Sequence, residues 1–313
     1  MQAIYSPPTV STMSSQRPPT LDPQAARRWE HVAARTPLMS PWLHEEVGRR
    51  MHERLQWILK KPATWLHWDP LRGGLQAHDL VAQHYPDSSC YVPEAHMGRA
   101  QAAIKKEATP WWSMARWRSQ SVAWRVADAP VAMLWANMAL HMDPDPQALI
   151  ARWHSLLEVD GFLMFSCLGP DTLRELRALY REQGWPDPSH EFTDMHDWGD
   201  MLVQAGFADP VMDTERITLT FESPQRLLQE LRELGRNLHC RRFSGLRGKQ
   251  WHAALLQKMV QSMASARSDG QLALTFEVVY GHAIKGAARM PVKGETSIAL
   301  HDMRAILAQS QNR

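Results

Sequence analysis

Cysteine is scarce in this sequence. Its three residues, Cys90, Cys167 and Cys240, are far apart and odd in number, so they offer neither a disulfide framework nor a zinc spacing. A reducing, cytoplasmic setting fits that usage. An excess of one charge is missing too. The formal net charge is only +2, and nothing global argues for nucleic-acid binding. The longest apolar runs are strand-length and too short to span a membrane. The first residues lack the basic start and apolar run of a signal peptide. The 15 histidines form no HExxH and no helical pair with a carboxylate, so no metal is expected. No internal repeat is visible.

The 313 residues are 44% hydrophobic, enough for one sizeable core with room for an insertion. The chain is rich in Trp (14) and Met (17). Trp111-Trp112, Trp117 and Trp124 stand beside charged or small residues. They read either as amphipathic packing or as the lining of a pocket for a cation or an adenine ring.

Residues 1–22 are rich in Ser, Thr, Pro and Gln, and disorder is expected there. Asp22 is placed to cap a helix opening at Pro23. Trp42, Leu43, Val47, Met51, Leu55 and Ile58 recur at helical spacing, which predicts a helix to about Leu59. Alternation follows. Strands are expected at 63–68, 89–93, 129–136 and 162–166, with helices at 76–84, 95–106 and 145–157 between them. That order predicts a parallel sheet with right-handed crossovers. Helix is expected again at 172–183 and from an N-cap at Thr193 to about Ala205. A strand at 211–221, a largely helical stretch from 224 to about 268 and a strand at 271–284 complete the domain, taken as 23–285. Residues 286–313 read as a flexible tail.

The most informative stretch runs from Val159 to Arg177. A turn at Asp160-Gly161 feeds the apolar strand Phe162-Leu163-Met164-Phe165, and Gly169-Pro170 then launches a charged helix. In an open α/β sheet, ligands bind at the carboxyl ends of the strands.

Four blocks in order carry a family resemblance: Trp135-Ala136-Asn137-Met138-Ala139-Leu140-His141, Gly169-Pro170-Asp171-Thr172-Leu173-Arg174-Glu175-Leu176-Arg177, Ala205-Gly206-Phe207-Ala208-Asp209-Pro210-Val211-Met212-Asp213, and Thr275-Phe276-Glu277-Val278-Val279-Tyr280-Gly281-His282-Ala283. With them the chain resembles, over roughly residues 27–284, the BioC family. Its members are S-adenosylmethionine-dependent methyltransferases that methylate the free carboxyl of malonyl-acyl carrier protein in biotin synthesis. The resemblance implies a class I methyltransferase fold, a Rossmann-like seven-stranded sheet whose last strand is antiparallel, with N-terminal helices and a helical insertion before that strand. It implies a monomer working on an acyl carrier protein.

The resemblance also implies site residues. The family's Asp-x-Gly-x-Gly-x-Gly loop stands here as Asp69-Pro70-Leu71-Arg72-Gly73-Gly74. Gly73 and Gly74 are its remnant, or simply a turn. Glu94, after the second strand, matches the acid that holds the ribose diol, and Asn137 matches a residue near the methionine moiety. The family's Asp five residues earlier is Ala132 here. A malonyl carboxylate needs no general base but needs a counter-charge, and an arginine fork suits it. Arg174 is the candidate, with surface pairing as its alternative. Thr172 either caps the helix or touches ligand. Arg241, Arg242, Arg247 and Lys249 are a candidate docking surface for the acidic carrier protein, or a solvated basic turn. Loss of the glycine loop leaves two other readings open. One is a methyltransferase with another substrate. The other is a methyltransferase-like binding or regulatory subunit that has lost its cofactor.

Overall fold

The computed structural model describes residues 21–33, 39–107, 127–264 and 270–287. Four parallel strands build the first part of the sheet: β1 (Thr64–His67), β2 (Ser89–Tyr91), β3 (Val131–Ala136) and β4 (Leu157–Leu168). Two long strands complete it, β5 (Phe207–Phe221) and β6 (Leu272–Lys285), and β6 runs antiparallel to both β4 and β5. The order is β2-β1-β3-β4-β6-β5. The expected α/β class and antiparallel last strand are found, but the strand count among the described residues is six rather than seven. Residues 108–126, with Trp111, Trp112, Trp117 and Trp124, lie outside the described residues.

β3 is buried at every position, as a central parallel strand covered on both faces must be. Successive side chains point to opposite faces. Met133, Trp135, Phe162 and Met164 therefore join one core, while Leu134, Ala136, Leu163 and Phe165 join the other.

The helices are α1 (Pro23–Ala33), α2 (Trp42–Arg54), α3 (Pro70–Gly73), α4 (Leu75–His84), α5 (Glu94–Glu107), α6 (Pro146–Leu156), α7 (Arg174–Glu182), α8 (Met195–Gln204), α9 (Pro224–Leu234) and α10 (Lys249–Met259). Several begin on the expected caps. The Asp22 carboxylate accepts from the Gln24 and Ala25 amides at 2.8 and 3.3 Å, and Asp145 accepts from Ala148 N–H at 3.0 Å ahead of Pro146. Such caps contribute about 1 kcal/mol each. Two cap expectations are corrected. α8 is capped by Asp194, whose carboxylate accepts from His196 N–H at 2.9 Å, and not by Thr193. α7 opens after Leu173 in a left-handed conformation (φ 59°), and Thr172 does not cap it.

The first core lies under α2, α4, α7, α9 and α10, and the second under α6 and α8. α9 and α10 lie between β5 and β6, while residues 265–269, 288–313 and 1–20 lie outside the described residues. Leu21 is placed, bridging to His239. Among the described residues no helix is long and apolar enough to cross a membrane.

Candidate functional site

The carboxyl ends of β3 and β4 open into a cavity of about 210 Å³. Met138 and Leu168, which follow or end those strands, form part of its floor with Phe276 of β6. Leu176 of α7 makes one wall, and Leu228, Leu231 and Leu234 of α9 make the roof. The wall between is the loop Pro188-Ser189-His190 with Phe192. This is the ligand edge of an α/β sheet, and an apolar pocket with a few polar atoms is the usual form of a small-molecule site.

Three of those polar atoms have no partner. Nδ1 of His141, Oγ of Ser189 and Nδ1 of His190 are buried and make no hydrogen bond among the described residues, and all three residues line this cavity. Buried polar groups are ordinarily paired, so three orphans around one space mark where a ligand's polar groups belong. His190 Nε2 lies 3.1 Å from the His141 carbonyl. A carbonyl only accepts, so Nε2 carries the proton and Nδ1 presents a bare lone pair. Burial pushes the His190 pKa down to about 4 and holds His141 well below its usual range, with the neighbouring histidines adding to the His141 shift. Both rings are neutral at pH 7.

Behind the cavity, Asn137 acts as a knot. Its Nδ2 donates to the carbonyls of His44 (2.7 Å) and Gly73 (2.6 Å), and its Oδ1 accepts from the Ser166 hydroxyl at 2.5 Å. Both donors are spent on the chain itself. Close approach of α2 makes this possible: a Cβ on Gly48 would stand 3.0 Å from Asn137 Nδ2.

The end of β1 is equally self-contained. Asp69 caps the one-turn α3, accepting from Arg72 N–H. Leu71 is buried in a small cluster with Leu75, Val92 and Ala100. The first amides of α4 are all occupied: Leu75 N–H donates to Ser40 Oγ at 3.0 Å, and Gln76 and Ala77 N–H donate to the two oxygens of Glu45 at 3.2 and 3.1 Å. A carboxylate at a helix N-terminus is well placed electrostatically. Gly74 is required there, because its φ is +107° and a Cβ would meet Glu45 Oε2 at 2.7 Å. Gly73 packs against His67 and Asn137. His67 and His78, both buried, face each other at 3.1 Å between their Nδ1 atoms.

The remaining candidates are scattered. Glu94 opens α5, is exposed, and does not line this cavity. Thr172 lines the cavity and is fully buried. Its hydroxyl, however, donates to Glu277 C=O and accepts from Glu277 N–H, both at 3.1 Å, clasping β6. Arg174 is outside the cavity, half exposed, and donates to Glu175 at 3.1 Å. Of the basic surface, Arg242 is paired with Asp22 at 2.6 Å, and Arg247 lies over Trp251 at 3.9 Å.

No known family model matches the chain. Over 288 residues, however, it is 39% identical to the malonyl-acyl carrier protein O-methyltransferase of Gallionella capsiferriformans, covering 89% of this chain and 96% of that protein. The chain belongs to the malonyl-acyl carrier protein O-methyltransferase family. Relatives of the same name from Laribacter hongkongensis and Nitrosospira multiformis are 37% and 34% identical, each over about four-fifths of this chain (79% and 80%) and 84% and 85% of their own length. Among solved structures, the YcgJ protein of Bacillus subtilis aligns with a TM-score of 0.48 at 11% identity, covering 78% of this chain and 99% of that one. A likeness that loose leaves the family resting on the sequence relatives.

Within the family frame, sequence reasoning missed the residues that the cavity singles out. His141 lies inside a block that carries the resemblance, yet a histidine after a strand has no pattern of its own. Ser189 and His190 sit in an irregular loop whose only signal is Pro186-Asp187-Pro188 punctuation.

Proposed function

We propose that the protein methylates the free carboxyl of malonyl-acyl carrier protein, with S-adenosylmethionine as the family's methyl source and with the cavity between β3, β4 and α9 as the acceptor site. Kinship at 39% identity over nearly the whole length of a relative so named carries this reading. The free thiols of Cys90, Cys167 and Cys240 support a reducing, cytoplasmic setting.

The family's cofactor brings an electrophilic methyl on a sulfonium. The residues at the end of β1 do not fit the glycine cradle expected for it. Asp69, Pro70 and Leu71 stand where that loop would be open. Ser40 and Glu45 already occupy the α4 amides, and Asn137 has no donor left. Gly73, Gly74 and Asn137 are therefore better read as packing residues, and Glu94 is the one expected cofactor residue whose side chain stays exposed.

The chain's own contribution is to the acceptor. A carboxylate is already a nucleophile at neutral pH, so no base is needed. An apolar wall strips it of water, and forming an ester removes the charge that the wall disfavours. The Ser189 hydroxyl can donate to the acceptor, and a neutral His190 Nδ1 can accept from an amide N–H of the thioester arm. Holding both ends of the acyl group lowers the entropic part of the barrier, where well-oriented reactants gain up to about 7–11 kcal/mol.

Mass spectrometry of malonyl-acyl carrier protein after incubation with protein and S-adenosylmethionine tests the reading, with calorimetric titration of the cofactor alongside. A methyl ester on the malonyl group is the expected product. Absence of both ester and cofactor binding would instead mark a methyltransferase-like binding protein.

A further inference from the structure

A second cavity, of about 350 Å³, shares Arg232 and Arg236 with the acceptor cavity. Its other walls bring Trp29 of α1, Arg72 of α3 and Arg99 of α5 together. Four arginine side chains thus line one cleft, and among the described residues the one lining carboxylate is Glu233, which accepts from Gln229 at 3.4 Å. Among the described residues, neither Arg72, Arg232 nor Arg236 is in an ion pair with a carboxylate.

The guanidiniums of Arg72 and Arg236 lie over the same Trp29 ring, 4.7 and 4.9 Å from its centroid. Arg72 Nη2 donates to the Leu234 carbonyl at 2.9 Å, tying α3 to the end of α9. Burial works against the Arg72 cation, and the charges of Arg99 and Arg236 add to that, while Asp69 opposes it. Like charges held this close cost energy unless an anion joins them, and planar arginine forks match phosphate oxygens in pairs. A cationic ligand would be repelled.

We propose that this cleft binds the phosphodiester of the carrier protein's 4′-phosphopantetheine arm, and that the arm passes Arg232 and Arg236 so that its thioester end enters the apolar cavity. The inference rests on the acceptor assigned above and deepens it. The order of chemistry along the arm matches the order along the protein: phosphate at the arginines, then amides near the His190 Nδ1 lone pair, then the acyl group between Leu168, Phe192 and Phe276. The partner surface on Arg241, Arg242, Arg247 and Lys249 is not needed for this contact.

The test compares malonyl-4′-phosphopantetheine with malonyl-pantetheine, which differ only in the phosphate, by calorimetric titration of the full chain. The wild type should bind the phosphorylated ligand about tenfold more tightly, or about 1.4 kcal/mol. In Arg232→Gln/Arg236→Gln that ratio should fall below about threefold. Arg99→Gln, on a different helix, should lower it in the same direction, so that misfolding of one variant does not decide the matter. Equal affinities in the wild type, or a ratio that survives both variants, would overturn the proposal. A third arm uses carrier protein lacking its arm. If the variants weaken that complex as much as the malonyl-loaded one, the cleft reads the carrier's acidic surface and the phosphate assignment fails. Ester formation separates this proposal from the proposed function. A wild-type protein that keeps the phosphate preference but makes no methyl ester retains the site and loses the reaction.

Discussion

Replacing Asn137 with alanine should destabilise the fold more than it disturbs any ligand. The carboxamide joins three segments: α2 through the His44 carbonyl, the α3–α4 junction through the Gly73 carbonyl, and β4 through Ser166. Its side chain is buried, at 3% exposure, so water cannot replace what is removed. Each buried group left without a partner costs about 1–3 kcal/mol. The His44 carbonyl keeps its helical bond within α2, but the Gly73 carbonyl and the Ser166 hydroxyl lose their partner, and together they should cost about 2–4 kcal/mol. That is a large share of a typical total of about 5–15 kcal/mol. Urea unfolding followed by circular dichroism should show a lower midpoint at unchanged slope. Adding Ser166→Ala to Asn137→Ala should cost less than the sum of the two singles, since both remove one bond. A loss under about 1 kcal/mol, accompanied by a clear fall in affinity for S-adenosylmethionine, would refute the packing role and return Asn137 to the cofactor.

Other predictions follow from particular contacts. Thr172→Val keeps the shape but strands Glu277 N–H, whose carbonyl still accepts from Gly169 N–H at 2.9 Å, and should cost about 1–3 kcal/mol in unfolding experiments; an unchanged stability with an altered KM would show contact with substrate instead. Gly281→Ala places a Cβ about 2.1 Å from the Phe165 ring, and should lower Tm through overpacking worth about 1–3 kcal/mol or more. Burial holds His44, His78 and His190 down at about 3, 4 and 4, against 6.5 in the unfolded chain. Their folded pKa values are depressed, so the neutral rings' contribution is full above pH 6.5 and is lost as pH falls from 6.5 towards 4. Each histidine should remove roughly 2 kcal/mol by pH 5, and a denaturation midpoint no lower at pH 5 than at pH 7.5 would contradict their burial as neutral rings.

The strands were legible where side-chain pattern and backbone pairing coincide. β3 and β6 are apolar throughout or alternate cleanly, and they lie within two residues of the expected bounds. β4 starts earlier than its apolar run because residues 158–160 are exposed and polar or lone. The main chain is already paired at Leu157, and pairing leaves no trace in hydropathy. Arg174 illustrates the same limit for the site. A helix after a strand at the ligand edge suggests an inward arginine, but the left-handed Leu173 sets the helix phase so that Leu176 and Leu179 turn inward and Arg174 out. Glu45 reaches α4 across 31 and 32 residues, and Ser40 across 35. No local signal marks such a contact, yet it decides whether the α4 amides are open to a ligand.

The position of β6 bears on how the chain reaches this state. Among the described residues it is the last strand in sequence, yet it lies inside the sheet, paired along β4 on one side and β5 on the other. A growing chain that ends before residue 272 therefore has two long strands with nothing to join them, and their edges are sticky while they wait. Contacts so distant in sequence form slowly. Synthesis must pass Lys285 before β6 can close the sheet, so truncation within β6 should send the protein to chaperones or into aggregates.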